Sequence, residues 1–225
     1  MSARTLTADG LLGLIYPRNA VCMGCGSHAG FPRDWLCESC RQELASRWVG
    51  AGQPPKGGLF DGAAYGYHYG GPASGLVRNL KYRGVTRLSP IMAKGMARAY
   101  DFIQPTGADV IVPVPMHPRR QRRRGFNHAE LLALDTAAIL ELPVGLAVKR
   151  VRNTRQQARL SVRERLRNLD GAFALAGDVR GKRVLLVDDV CTTGATANAC
   201  AQVLREGGAK SVCLLCFALA GENEE

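Results

Sequence analysis

The 225-residue chain has no long hydrophobic run. Stretches such as Val184 to Val187 and Val212 to Leu219 stop well short of the ~20 apolar residues that cross a bilayer, so no membrane span is expected. Residues 1–20 carry no secretory signal, because their apolar run, Leu11 to Ile15, is short and interrupted by Gly13; a cytoplasmic location is expected. The Gly-x4-Gly-Lys-Ser/Thr loop that cradles nucleoside triphosphates is absent, as are internal repeats and long low-complexity tracts. Carboxylates are scarce: nineteen Asp and Glu face thirty Lys and Arg, a net charge of +11 that points to anionic partners such as nucleic acid or phosphorylated small molecules. What is present, 46% hydrophobic and 22% charged residues, is ordinary globular composition at a length that suits one domain with a small appendage.

The cations are concentrated. Between His117 and Arg167, thirteen Lys and Arg stand against four carboxylates, with five arginines inside Arg119 to Arg124 alone. Charge grouped this tightly implies a field aimed at a ligand rather than a solvated face.

The eight cysteines fall into two sets. Cys22, Cys25, Cys37 and Cys40 form a C-x2-C-x11-C-x2-C array, whereas Cys191, Cys200, Cys213 and Cys216 lie in apolar surroundings. Each C-x2-C pair can curl so that both sulfurs face one point, and two pairs supply the four thiolates of a tetrahedral structural zinc with no open position for catalysis. In a reducing compartment this reading is preferred to two disulfides. Cys213 and Cys216 repeat the spacing, but their apolar neighbours mark a buried strand instead.

Turn and linker residues gather in Ala51 to Gly58, dividing the chain into a zinc-binding module over residues 1–50, a linker over 51–58 and a larger domain over 59–225. The first module should hold a short helix over residues 6–16 and a second over Glu38 to Trp48. In the second, tyrosines at 65, 67 and 69 alternate as in a half-buried strand, and helices are expected over Pro72 to Tyr82 and Pro90 to Ile103. Strand-like runs at Ala108 to Val112, Val144 to Val148, Arg183 to Val187 and Ser211 to Leu219 then alternate with helical stretches at Ala129 to Leu142 and Gly194 to Glu206. That order predicts an α/β fold whose central, mainly parallel sheet is flanked by helices on both faces.

The segment Val184-Leu-Leu-Val-Asp-Asp-Val-Cys-Thr-Thr-Gly-Ala-Thr196 carries the clearest chemistry. A parallel strand delivers its C-terminal end to the crevice where α/β proteins bind ligands, and the helix that follows offers unpaired N–H groups to an anion. Gly194 permits close backbone approach, and Thr192, Thr193 and Thr196 bring hydroxyls for phosphate oxygens. Asp188 and Asp189, just outside that cradle, can accept hydrogen bonds from vicinal sugar hydroxyls, so the pattern suits a ribose 5-phosphate.

Those thirteen residues resemble the signature of type I phosphoribosyltransferases at every position. A second stretch, Val112-Pro-Val-Pro-Met-His-Pro-Arg-Arg-Gln-Arg-Arg-Arg-Gly-Phe-Asn127, together with Leu80-Lys-Tyr-Arg-Gly84, Asn153-Thr-Arg-Gln-Gln157 and the four-cysteine module, is similar to the ComF family of competence-related proteins. The one departure is His128, where that family's pattern has glutamine after Arg-Gly-Phe-Asn. The resemblance implies a type I phosphoribosyltransferase-like fold and a site for 5-phosphoribosyl 1-pyrophosphate with magnesium, in which Asp188 and Asp189 act catalytically and bind the ribose with Thr192, Thr193, Gly194, Ala195 and Thr196. Arg119, Arg124 and Arg155 are the candidates for the pyrophosphate, since arginine forks bind such oxygens in pairs, although spacing does not choose among the clustered arginines. The segment Lys149 to Leu169 would be a mobile flap.

Two functions are compatible with these residues. One is transfer of a ribose 5-phosphate unit to a nitrogenous acceptor whose pocket has no legible signature. The other is a non-catalytic protein whose zinc module and basic stretch bind single-stranded DNA, the phosphoribosyl site being regulatory or vestigial. For both, the family resemblance implies a part in DNA uptake beside a competence ATPase and DNA-processing proteins.

Overall fold

Alternate residues along the central strands face opposite cores. Leu185 and Val187 belong to one, with Ile111, Leu215 and Phe217; Val184 and Leu186 belong to the other, with Val110, Val112 and Leu214. A parallel strand covered on both faces has this near-continuous apolar character. The computed structural model describes residues 21–28, 35–103, 107–152, 169 and 171–221. The helix expected over 6–16 and most of the expected flap, including Arg155, lie outside the described residues.

In chain order the elements are α1 (Glu38–Ser46), β1 (Trp48–Gly52), β2 (Gly62–His68), α2 (Gly71–Arg83), a 3-10 turn (Thr86–Leu88), α3 (Ser89–Tyr100), β3 (Val110–Pro113), α4 (Pro118–Arg124), α5 (His128–Leu140), β4 (Val148–Arg150), β5 (Phe173–Leu175), β6 (Arg183–Cys191), α6 (Ala195–Glu206) and β7 (Ser211–Leu219). A five-stranded sheet runs β1-β2-β7-β6-β3, parallel throughout except for the antiparallel edge strand β1. Helices α2, α3 and α5 contribute Leu76, Leu80, Met92, Met96 and Leu132 to one core, while α6 contributes Cys200, Ala201 and Leu204 to the other. The expected α/β architecture, a mainly parallel sheet between helices with the four cysteines beside it, is therefore present.

Three local expectations are revised, and one short helix is added. Val144 makes only an isolated parallel bridge to Ile111, and the strand nearby is β4, which pairs antiparallel with β5 in a separate two-stranded sheet. Strand β6 does not stop before the carboxylates but continues through them to Cys191. The arginines after Pro118 form the short helix α4, capped by His117, whose Nδ1 accepts from the Arg119 amide. Finally, the three tyrosines do not share a face: Tyr65 is buried in the α6-side core and donates to the Gln53 carbonyl, whereas Tyr67 meets Trp48 edge-on at 5.5 Å in the opposite core.

Residues 51–58 begin within β1 and then cross to the start of α6. There the Lys56 carbonyl accepts from Asn198 Nδ2 at 3.0 Å, and Pro55 lies over Gly194, where an added Cβ would come within 2.1 Å of the proline ring.

Candidate functional site

The C-terminal ends of the four parallel strands frame one cavity of about 440 Å³, lined from every strand end: Tyr69 after β2, Val114 to Met116 after β3, Asp188 to Thr192 along β6 and Ala220 after β7. The rim is tied together by backbone bonds, Val114 N to the Val187 carbonyl and Tyr69 N to the Leu219 carbonyl, at 2.8 and 2.7 Å. This is where α/β sheets present ligand sites.

At the cavity's mouth the chain turns through Gly194, whose φ of 71° is left-handed and suits a residue without Cβ, and α6 starts at Ala195. Thr192, Gly194, Ala195 and Thr196 line the cavity. Thr193 is not among the lining residues; its hydroxyl accepts from the Ala195 amide at 3.4 Å and so shapes the loop.

The two carboxylates are consecutive on a strand and therefore leave it on opposite sides. Each has one oxygen held by the following backbone amide, Asp188 by the amide of Asp189 at 2.9 Å and Asp189 by that of Val190 at 2.7 Å. Their surroundings differ sharply. On the α2 and α5 side, Asp189 Oδ2 receives Lys81 Nζ at 2.7 Å and His128 Nε2 at 3.2 Å. Burial alone would raise the Asp189 carboxyl, but these two neighbours outweigh it and hold the group below its ordinary range. At Asp188, burial reinforced by the charge on Asp189 outweighs the pull of Lys81 and pushes the carboxyl well up.

His128 is pushed down to about 4, first by burial and then by Lys81 and Arg124, against the pull of Asp189. The ring is thus neutral near pH 7, and its partners select the tautomer: Nδ1 accepts from Arg124 Nη1 at 3.4 Å, so Nε2–H donates to Asp189. His128, Asp188 and Asp189 offer ligand atoms within 4.8 Å of one another, yet the Lys81 ammonium already supplies the cation there, and the group is better described as an ion-pair network than as a metal centre.

Four guanidiniums line the cavity: Arg78 from α2, Arg120 and Arg124 from α4, and Arg150 from β4. Burial lowers both Arg120 and Arg150, and Arg120 lowers Arg150 further by like-charge repulsion, an arrangement that an entering anion relieves. Arg119 is exposed on α4 and is not among the lining residues.

The cysteine array closes on itself. The four Sγ atoms lie within 4.8 Å of one another, and Cys25 and Cys37 are 3.9 Å apart. That is far beyond a disulfide bond but close to the ~3.8 Å edge of a tetrahedron with 2.3 Å metal–sulfur bonds. The Cys37 amide donates to Cys22 Sγ at 3.3 Å, as amides do toward thiolates, and Ser27 holds the exposed Cys25 thiol down to about 6. The array could hold a metal ion. Cys213 and Cys216, with the same spacing, are instead buried in β7.

Comparison with known proteins bears on this geometry. The Phosphoribosyl transferase domain family model matches residues 127–225. Competence protein F of Haemophilus influenzae is 33% identical over 87% of this chain and 88% of its own length. The chain belongs to the ComF family. DNA utilization protein YhgH of Salmonella typhi is 35% identical over 89% of this chain and 84% of its own, and Competence protein ComFC of Bacillus subtilis is 28% identical over 63% and 57%. A type I phosphoribosyltransferase-like domain in a competence and DNA-utilization family thus carries the cavity.

Sequence reasoning singled out Asp188, Asp189, Thr192, Gly194, Ala195, Thr196 and Arg124, and these converge on the cavity. It did not choose Arg120 and Arg150 among the clustered arginines, it missed Arg78 and above all Lys81, and it saw in His128 only a departure from the ComF pattern. Lys81 had one signal, its place in the family-like stretch Leu80 to Gly84. Nothing local in that stretch indicates a carboxylate partner on β6.

Proposed function

We propose that the cavity binds 5-phosphoribosyl 1-pyrophosphate with magnesium and that the protein is a phosphoribosyltransferase of the cytoplasm acting in DNA uptake or utilization. One observation supports this above the rest: a glycine-turned helix start, two carboxyls shifted in opposite directions and four guanidiniums line a single cavity. The 5-phosphate would lie on the amides and hydroxyls of Thr192 to Thr196, with the helix start as counter-charge. Asp189, kept ionised by Lys81 and His128, accepts a hydrogen bond from one ribose hydroxyl, while Asp188, raised toward its neutral form, exchanges one with the other. Arg120, Arg124 and Arg150 would hold the pyrophosphate, and magnesium, when bound to it, would offset the charge of the leaving group. In the transfer the bond from C1 of the ribose to the pyrophosphate oxygen breaks, a bond from C1 to an acceptor nitrogen forms, and that nitrogen loses its proton. The carboxylates would stabilise the positive charge that develops on the sugar.

For the cysteine array the fitting ion is zinc, four thiolates in a closed tetrahedron being a structural site. Calorimetric titration of the metal-loaded chain with 5-phosphoribosyl 1-pyrophosphate and magnesium tests the main reading. Saturable binding that is lost on Asp188→Asn/Asp189→Asn supports it, and no binding to folded wild-type protein overturns it.

A second reading is favoured by one observation: α4 turns Arg119, Arg122 and Arg123 to solvent. These would track the backbone of single-stranded DNA, delivered by a competence ATPase and other DNA-processing proteins, with an affinity that falls steeply with salt. Binding of an oligonucleotide that survives the double asparagine variant would separate this role from the first.

A further inference from the structure

Helix α2 touches both the metal-holding loop and the acidic pair. At its N-terminal half, Gly75 meets the turn Cys22 to Cys25 so closely that an added Cβ would stand 2.1 Å from the Gly24 carbonyl oxygen. One turn further on, Asn79 Nδ2 donates to the Met23 carbonyl at 2.8 Å, a bond between helix and turn that is partly buried. The turn is in its own right tied to the second cysteine pair, through Met23 N to the Trp35 carbonyl and the Cys37 amide to Cys22 Sγ. Arg78 lines both the main cavity and a cleft beside Gly24, Cys25 and Cys40. Six residues beyond Gly75, about 9 Å along a helix, Lys81 reaches Asp189.

We propose that the metal-holding loop and Lys81 work as one unit: the Cys22 to Cys25 turn, seated on α2 through Gly75 and Asn79, fixes where Lys81 meets Asp189, so that the ion in the cysteine cluster sets the affinity of the acidic pair for a ribose phosphate. Lys81 is then a positioning residue, and the inference rests on the reading of the cavity as a ribose-phosphate site.

The physical case is one of rigidity. A helix transmits a displacement of one end to the other, and the contact at Gly75 leaves no room for the turn to shift without moving α2. A metal ion orders the turn by fixing its two sulfurs. Without the ion, the turn keeps its hydrogen bonds to Asn79, Trp35 and Ser27 but its two sulfurs are no longer fixed against the second pair, and Lys81, held charged by Asp189 against burial, loses a fixed approach. Coupling between the two sites is reciprocal, so a ribose phosphate should in return tighten the metal.

Two measurements on the full chain test this. The first is NMR titration of His128, whose ring senses the Lys81 charge directly. In wild type stripped of zinc, and separately in zinc-loaded Asn79→Ala, the His128 pKa should rise by about one unit as Lys81 withdraws. Lys81→Met should give the same rise, and Lys81→Arg should restore much of the wild-type value. The second is calorimetry with ribose 5-phosphate, whose affinity should fall about tenfold on zinc removal and in Asn79→Ala at unchanged zinc content. An unmoved His128 titration together with unchanged affinity in zinc-loaded Asn79→Ala overturns the coupling, and because this variant keeps all four cysteines, a misfolded module cannot produce that result. A shifted His128 in protein that never binds ribose 5-phosphate upholds the link between loop and Lys81 and overturns the ribose reading instead.

Discussion

Lys81 Nζ lies 2.7 Å from Asp189 Oδ2, bringing a helix that precedes the matched transferase segment onto the second carboxylate of that segment's signature. Both groups are largely removed from solvent. Deleting either charge leaves the other buried without its counter-ion, which costs about 3–5 kcal/mol. Asp189→Ala and Lys81→Met should each lower the urea midpoint by a corresponding amount, and the double variant should be more stable than the sum of the two losses implies.

Burial, against the pull of that same oxygen, gives His128 a pH signature. An unfolded imidazole takes up a proton near pH 6.5, whereas the folded one, pushed down to about 4, refuses it until far lower pH. Between those values the unfolded chain binds more protons, so stability rises with pH across the window and is lost as acid is added, by at most about 3 kcal/mol. His128→Gln, which keeps an amide donor for Asp189, should flatten the stability profile from pH 4 to 6.5 in denaturant titrations while leaving stability at pH 8 nearly unchanged.

Arginines that line the cavity should separate from those that do not. Arg120→Ala and Arg150→Ala are each expected to weaken pyrophosphate binding about 10- to 100-fold, the range for a lost charge-assisted hydrogen bond. Arg119→Ala, on the exposed face of α4, should leave it within about twofold. Calorimetry with inorganic pyrophosphate and magnesium checks all three.

Metal removal should act through the first cysteine set alone. Cys40→Ser, at a buried position of the cluster, should release the bound metal and lower Tm by several degrees, whereas Cys213→Ser, in the interior of β7, should leave metal content unchanged. Elemental analysis of the two purified variants decides the matter.

Much of the site was legible because its parts are local. The strand Val184 to Val187, the carboxylates, the threonines and Gly194 are consecutive, and a strand running into a helix start fixes their relative places within a few ångströms. The cysteine cluster was legible for a similar reason, as two tight turns need only to meet once. The arginines were harder. Their charge was plain, but whether Arg119 or Arg120 faces the cavity depends on α4 being a helix rather than a loop, and a run of arginines has no apolar stripe to say which face turns inward. Arg150 required knowing that β4 pairs with β5 instead of joining the main sheet.

The sequence by itself therefore determined the alternation of strands and helices, the run of carboxylates and threonines from a strand end into a helix start, and the four-cysteine cluster, all of them set by spacing along the chain. Only the tertiary structure decided that the adjacent carboxyls shift in opposite directions. The difference comes from neighbours distant in sequence, Lys81 on α2 and His128 on α5, which pack on one face of the sheet and reach Asp189, while at Asp188 burial outweighs the pull of Lys81. Desolvation and Coulomb attraction depend on distance in space, and no local pattern encodes that distance.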